Sequence, residues 1–260
     1  MTRTATSPLF YRVITLAVVL AAWEVVGRRH LLFGDALPPA SKAVASLLDL
    51  LREQSFWRSV GQTVLQWAGG LIGSALVAIP VGLLIGSGRL RFALTRSTID
   101  FLRTIPPVML LPLFVLIWGT GASMVILLAI YAAVWPMLIQ TISGVRAVDS
   151  LTLETARVFK IGPWRTFWKV LLPAVSPFVF SGLRVSAVIS LFIAVVCELV
   201  AGSHGVGQLL TAAQLAGDAP GIYALIFVTG FLGLLINAGV SRVECRVLAW
   251  HPSQEKGVTS

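Results

Sequence analysis

Charge is scarce in this chain. Only 12% of its 260 residues are Asp, Glu, Lys or Arg, while 57% are apolar and the mean hydropathy is +0.88. That is about half the charge of an ordinary soluble domain. So little charge cannot cover a globule of this size in water, which excludes a soluble enzyme, a disordered tail and a nucleic-acid-binding domain. Cysteine is limited to Cys197 and Cys245, too few for a disulfide scaffold, and there is no C-x-x-C or lipidation motif. Histidine is limited to His30, His204 and His251, none inside an apolar run. An intramembrane hydrolase needs a nucleophile and a base within reach of each other. Ser203-His204 invites a phosphatase reading, but the 201–221 segment has no Lys or Arg to hold a phosphate. No acidic pair points to a metal, and no G-x-x-x-x-G-K-[ST] loop is present, so the chain has no nucleotide site of that kind.

What is present is a set of long uncharged runs. Ser59 to Gly88, Thr104 to Val145 and Ala219 to Ser241 contain no charged residue, and Ala174 to Val200 carries only Arg184 and Glu198. A helix needs about 20 apolar residues to cross a bilayer. Thr104 to Val145 is about twice that length, and Gly119-Thr120-Gly121 in its middle marks a tight turn. The expected spans are 9–27, 64–86, 105–118, 122–143, 175–200 and 222–243. The third is short and is expected to start earlier, near Ile99. The first resembles a signal peptide in its Arg3, Arg12 and apolar core, but no A-x-A site follows and Glu24 stands where a cleavage region is small and neutral. It is therefore expected to remain as a span.

Six spans place both termini on one side. That side holds Arg3, Arg12, Arg89, Arg91, Arg96, Arg103, Arg146, Arg157, Lys160, Arg165, Lys169, Arg242, Arg246 and Lys256. Cytoplasmic loops gather Lys and Arg, so this side is expected to be cytoplasmic. The other side holds Arg28, Arg29, Lys42, Arg52 and Arg58. There Val44, Leu47, Leu48 and Leu51 recur at helical spacing, an amphipathic helix suited to the outer interface. The organisation expected is 1–36, first span and start of the outer loop; 37–58, outer amphipathic helix; 59–247, the core with a cytoplasmic loop at 144–174; and 248–260, a cytoplasmic tail. Cys197 and Cys245 then lie a membrane thickness apart, too far for a disulfide.

The 144–174 loop is too long for a simple connector. Asp149 or Ser150 suits the cap of a helix ending near Gly162, and Pro163 suits the first position of the next helix. Two short helices would form a knob, read either as a docking site for a cytoplasmic partner or as a surface helix resting on headgroups. Glu24, Arg184 and Glu198 are the ionisable residues in or near spans, and intramembrane charges are functional suspects. Arg184 meets either an anion in a pathway or an interface partner. Glu198 either pairs in an outer gate or ends its helix in water.

The loop carries a resemblance. Glu154-Thr155-Ala156, Lys160, Val170, Leu172 and Pro173 follow the spacing Glu-Ala-Ala, three residues, Gly, nine residues, Ile, any residue, Leu-Pro, with Thr155 replacing Ala and Lys160 replacing Gly. This motif is similar to that of the permease subunits of bacterial ABC importers, the binding-protein-dependent permease family. Gly144-Val-Arg-Ala-Val-Asp149, Ser181-Gly-Leu-Arg184, Leu37-Pro-Pro-Ala-Ser, Pro80-Val-Gly-Leu-Leu-Ile-Gly86, Arg103-Thr-Ile-Pro-Pro107, Glu198-Leu-Val-Ala-Gly202 and Gly205-Val-Gly207 resemble its nitrate/sulfonate/taurine branch. The resemblance spans roughly 37–247. It implies an all-α, multi-pass inner-membrane protein of the type I importer permease fold with a cytoplasmic coupling helix. Glu154, Thr155, Ala156, Arg157, Phe159, Lys160, Gly162, Leu172 and Pro173 would couple it to an ATPase, with Arg184 and Glu198 as pathway or gate candidates. The implied partners are two ATPase subunits, which carry ATP and Mg, a second copy of the chain, an extracytoplasmic solute-binding protein and lipid. No cofactor or nucleic acid would bind this chain. The implied solute is a small anion such as a sulfonate, taurine or nitrate. An ATPase-independent secondary transporter is the alternative, and it leaves the 144–174 loop without a role.

Lys160 sharpens one expectation. Pro173 fixes the motif's register, so Lys160 stands where the family has its Gly. Gly162-Pro163 is expected to supply the turn instead, two residues later, leaving Lys160 in the last helical turn. Lys160→Gly would then be tolerated and Gly162→Val would not.

Overall fold

The computed structural model of the chain describes residues 8–29 and 36–249, and every regular element among them is a helix. In order they are α1 (Pro8–Arg28), α2 (Ala40–Leu50), α3 (Gln54–Gly86), α4 (Arg89–Leu102), a 3-10 turn at Pro107–Leu110, α5 (Leu111–Trp118), α6 (Ala122–Ala147), α7 (Ser150–Val158), α8 (Pro163–Thr166), a π turn at Phe167–Leu171, α9 (Leu172–Ala201), α10 (Val206–Leu215) and α11 (Ala219–Val247).

The long helices follow from the uncharged runs. Without water, a backbone must satisfy its own polar groups, and a helix does so within one segment. Four helical stretches, containing α3, α6, α9 and α11, are long and apolar enough to cross a membrane, and α4 with Pro107–Trp118 adds a fifth, bent crossing. At 1.5 Å per residue, the 21-residue α1 reaches about 32 Å, enough for a sixth.

Small residues let the central helices approach. A Cβ on Gly70 would lie 2.5 Å from the Ala129 Cβ, and one on Gly82 would lie 2.7 Å from the Thr141 Cβ. Both pairs share one register, so α3 and α6 run parallel. Small residues drive such packing where lipid removes the hydrophobic force between helices. α9 returns antiparallel: Ser186 Oγ donates to Ala133 O (2.7 Å), and Ser190 Oγ donates to Trp67 O (2.9 Å). Each such bond contributes about 0.6 kcal/mol in a membrane. The core between these helices includes Leu71, Ala78, Met137, Ile142, Ala187 and Leu191. Outward, Leu65, Ile72, Leu76 and Leu84 of α3 are exposed, as a lipid-facing surface requires.

This topology gives the bundle two ends. α3, α6 and α11 run toward the end carrying the knob of α7 and α8, here the knob end, and the Gly119–Gly121 turn lies at the distal end. That turn is as expected: Gly119 has φ 74° and Gly121 is extended. α1 is oriented by Trp23, whose ring packs on Tyr223 and Phe227 and whose Nε1 donates to Pro38 O (3.0 Å). Glu24 accepts from Ser41 N (2.9 Å), Ser41 Oγ (2.8 Å) and Arg28 Nε (2.5 Å). It thus caps the first turn of α2, whose own flanking residue Pro39 has no capping side chain.

Two boundaries differ from expectation. The outer amphipathic helix ends at Leu50, and residues 54–58 belong to α3, which therefore begins ten residues before the expected 64. Polar Gln54, Ser55, Arg58 and Ser59 extend a helix past the membrane edge, where hydropathy does not register it. The third span is not one helix starting near Ile99. Ile99 lies in α4, and the chain turns by 74° before Pro107. Pro106 and Pro107 lack backbone N–H groups, and a residue before proline is pushed out of the helical region. Cys197 is buried and Cys245 exposed, both unpaired, near opposite ends of the bundle. The tail at 250–260, with Lys256, and Arg3 lie outside the described residues.

Candidate functional site

The knob is built from its caps. Leu151 N donates to Asp149 Oδ1 (3.0 Å), so Asp149 starts α7. At the other end Ile161 N donates back to Ala156 O (2.9 Å), the long bond of a Schellman cap, which requires a left-handed residue just past the helix. That residue is Lys160, with φ 52°, the one non-glycine positive φ among the described residues. Gly162 is extended, at φ −60° and ψ 154°, and precedes Pro163 at the start of α8.

The expected turn is therefore corrected. α7 ends at Val158, not near Gly162, and the turn stays at the position where the family has Gly. Ala156 O takes its bond from Ile161, so the left-handed residue must lie between them, and Gly162 comes too late.

Among the expected coupling residues, Glu154, Thr155, Phe159, Lys160 and Gly162 are exposed on the knob, and Ala156 is buried, at 4%. Arg157 lies in α7, and its side chain is outside the described residues. Leu172 and Pro173 are half-buried at the start of α9, just past the π turn. Pro173 has no N–H for a regular i−4 bond, and a π turn is one way a helix absorbs that loss.

The knob also displays apolar surface. Leu151, Val158 and Phe159 are exposed at 65%, 78% and 75%. Beside them Trp164 lies 5.7 Å from Trp168, and Phe167 lies 5.4 Å from Trp168, centroid to centroid. Apolar patches of this kind mark interaction sites. The aromatic trio was not singled out from the sequence, although three aromatics within five residues of a charged loop are a legible signal.

Arg184 and Glu198 are not brought together. Arg184 of α9 is ion-paired with Glu244 of α11 near the knob end. Glu198 is fully buried at the distal end, and its Oε2 accepts from Thr63 Oγ1 (2.9 Å) and Gly207 N (2.9 Å). Thr63 Oγ1 in turn accepts from Val206 N (3.0 Å). Glu198 thus ties α3, α9 and the start of α10 into one node, and the reading of it as a water-exposed helix end is corrected. A Cβ on Gly205 would lie 2.0 Å from the Glu198 Cδ, so only glycine lets the chain pass over the carboxylate.

Residues 78–247, more than half of the chain, match the family described as binding-protein-dependent transport system inner membrane component. The chain belongs to that family. The permease is 29% identical over 239 residues to a putative aliphatic sulfonates transport permease protein of Bacillus subtilis, covering 92% of this chain and 87% of the relative. It is 28% identical over 244 residues to a taurine transport system permease protein of Escherichia coli, covering 91% and 88%. A nitrate import permease protein of Leptolyngbya laminosa is 31% identical, covering 77% and 71%. The fold matches that of the MetNI methionine ABC transporter in inward-facing conformations, with a TM-score of 0.65 at 19% identity, over 74% of this chain and 96% of that one. The permease is accordingly an all-helical type I importer subunit of the nitrate/sulfonate/taurine branch, which favours the ABC reading over a secondary transporter.

Proposed function

We propose that two copies of this permease form the pathway of an ATP-driven importer for a small anion such as a sulfonate, taurine or nitrate. The exposed apolar knob carries the proposal. Its end of the bundle is rich in cations, Arg89, Arg91, Arg146, Arg165, Lys169, Arg242 and Arg246, so it faces the cytoplasm. There α7 seats in a groove of each of two ATPase subunits, which hold ATP and Mg. Closure of the ATPases moves α7, and the continuous path through the π turn into α9 carries that motion into the membrane. An extracytoplasmic binding protein delivers the solute at the distal end. The full set of nine coupling residues and the gate role of Glu198 are part of this proposal.

Reconstitution with the ATPase and the binding protein tests it. Phe159→Ser and Glu154→Lys change only exposed knob side chains, so they leave membrane insertion intact and lower ATP hydrolysis stimulated by the loaded binding protein. Full stimulation in both variants contradicts the docking role.

A further inference from the structure

The bent span holds a charge imbalance inside the membrane. Tyr131 donates to Leu102 O (2.9 Å). Tyr131 lies roughly 14 Å along the 26-residue α6 from its distal end, so the break after Leu102 sits near mid-depth. Irregular backbone at such depth is tolerated where it is buried in protein or lines a water-filled cavity. α4 has no buried residue in the chain.

One side of α4 carries Arg96, Asp100 and Arg103. Arg103 Nε lies 3.0 Å from Asp100 Oδ1, and Arg96 Nε lies 3.7 Å from Asp100 Oδ2. Two guanidiniums share one carboxylate, which leaves one positive charge uncompensated among the described residues. Arg103 and Asp100 are 50% and 48% open, and Arg96 is 70% open. With Phe92, Ile99 and Ser143 these three residues line a cavity of about 220 Å³ between α4 and α6. That is the liquid volume of about seven waters. Open arginines at this depth are costly against lipid chains, so this side looks onto water or protein. Another side of α4 exposes Leu90, Leu94 and Phe101, which suits the hydrocarbon.

We infer that this cluster is an anion station on the translocation route, an inference that rests on the proposed importer of small anions. Arg103 and Arg96 hold the oxyanion group of the solute by charge-assisted hydrogen bonds, and Asp100 competes with it for the same donors. Arg184 is not that contact, because Glu244 already neutralises it one to one. The headgroup of an anionic phospholipid has the same chemistry, and the test separates the two sources.

The importer, assembled with its ATPase and binding protein, is reconstituted in phosphatidylcholine vesicles with and without phosphatidylglycerol. Uptake of radiolabelled nitrate, ethanesulfonate and taurine is measured with saturating binding protein and ATP. For each probe the wild type carries, Arg103→Gln is expected to lower uptake at least about tenfold in both lipid mixtures. Arg103→Lys restores it to within about threefold, and Asp100→Asn stays at or above the wild-type rate. An ion pair serving the fold alone gives equal losses in Arg103→Gln and Asp100→Asn, because each breaks the same pair, and that result overturns the station. A loss in Arg103→Gln confined to vesicles with phosphatidylglycerol assigns the cluster to a headgroup and also overturns it. Full uptake by Arg103→Gln ends the station and leaves the importer reading standing. A wild-type complex that carries a neutral solute and none of the three anions ends the anion reading itself.

Discussion

Lys160 offers the sharpest test of how the knob is built. A left-handed conformation costs an L-residue roughly 1–2 kcal/mol, and glycine adopts it freely. Lys160→Gly removes that cost. It also gives the unfolded segment more freedom, which offsets about 0.4–1 kcal/mol. The net expectation is a knob more stable by up to about 1 kcal/mol, with coupling retained. Lys160→Val places a β-branched side chain at φ 52°, where such residues are outliers, and weakens the cap by at least about 1 kcal/mol. Gly162 is extended, and a Cβ there meets nothing within 4 Å. Gly162→Val is therefore expected to be neutral within about 0.5 kcal/mol. Hydrogen exchange of the Ile161 amide reads the cap directly, since that amide closes the bond to Ala156 O. A change of 1.4 kcal/mol is about tenfold in an equilibrium constant, so Lys160→Val should lose several-fold protection. Neutral Lys160→Val together with a dead Gly162→Val would place the turn at 162 and refute the reasoning.

Two further outcomes follow from the distal node and the α9–α11 pair. Thr63→Val removes the hydroxyl that serves both Glu198 and Val206 N, and should cost about 1–3 kcal/mol in thermal unfolding of the purified permease. Combined with Glu198→Gln, the losses should fall short of their sum, and strict additivity would contradict a shared node. The Arg184–Glu244 pair is half open on the arginine side, so a double-mutant cycle with methionine should give no more than about 1 kcal/mol of coupling. Anion uptake should survive Arg184→Met, and its loss would return Arg184 to the pathway.

Much of this architecture is legible in the residues because lipid allows so few solutions. An uncharged run of sufficient length has to be a helix, and Gly119 with Gly121 in the middle of a double-length run has to be its turn. Asp149 as a cap is a local matter of one carboxylate and one N–H. What the residues do not reveal is what distant parts of the chain do to each other. Glu198 lies near a helix end, and only the approach of Thr63 and the glycines at 205 and 207 turns it from a surface charge into a buried acceptor. Hydropathy reports depth and not direction, so it cannot show the 74° bend between Leu102 and Pro107. Lys160 was aligned correctly with the family Gly, yet the turn was moved to Gly162 because glycine is the residue expected to take positive φ. The bond from Ile161 to Ala156 outweighs that preference. Ala156 itself is buried, so a charge placed there would act on folding of the knob before it acted on docking.

The central claim is that the exposed face of α7 is the contact through which an ATPase moves this permease. A photoreactive phenylalanine analogue at Phe159, in the assembled complex in vesicles, tests it most directly, with the same analogue at lipid-facing Phe231 of α11 as the comparison. The account predicts a covalent adduct with the ATPase from position 159, none from 231, and an adduct yield that changes when ATP is added. Adducts from position 159 with lipid alone would contradict it.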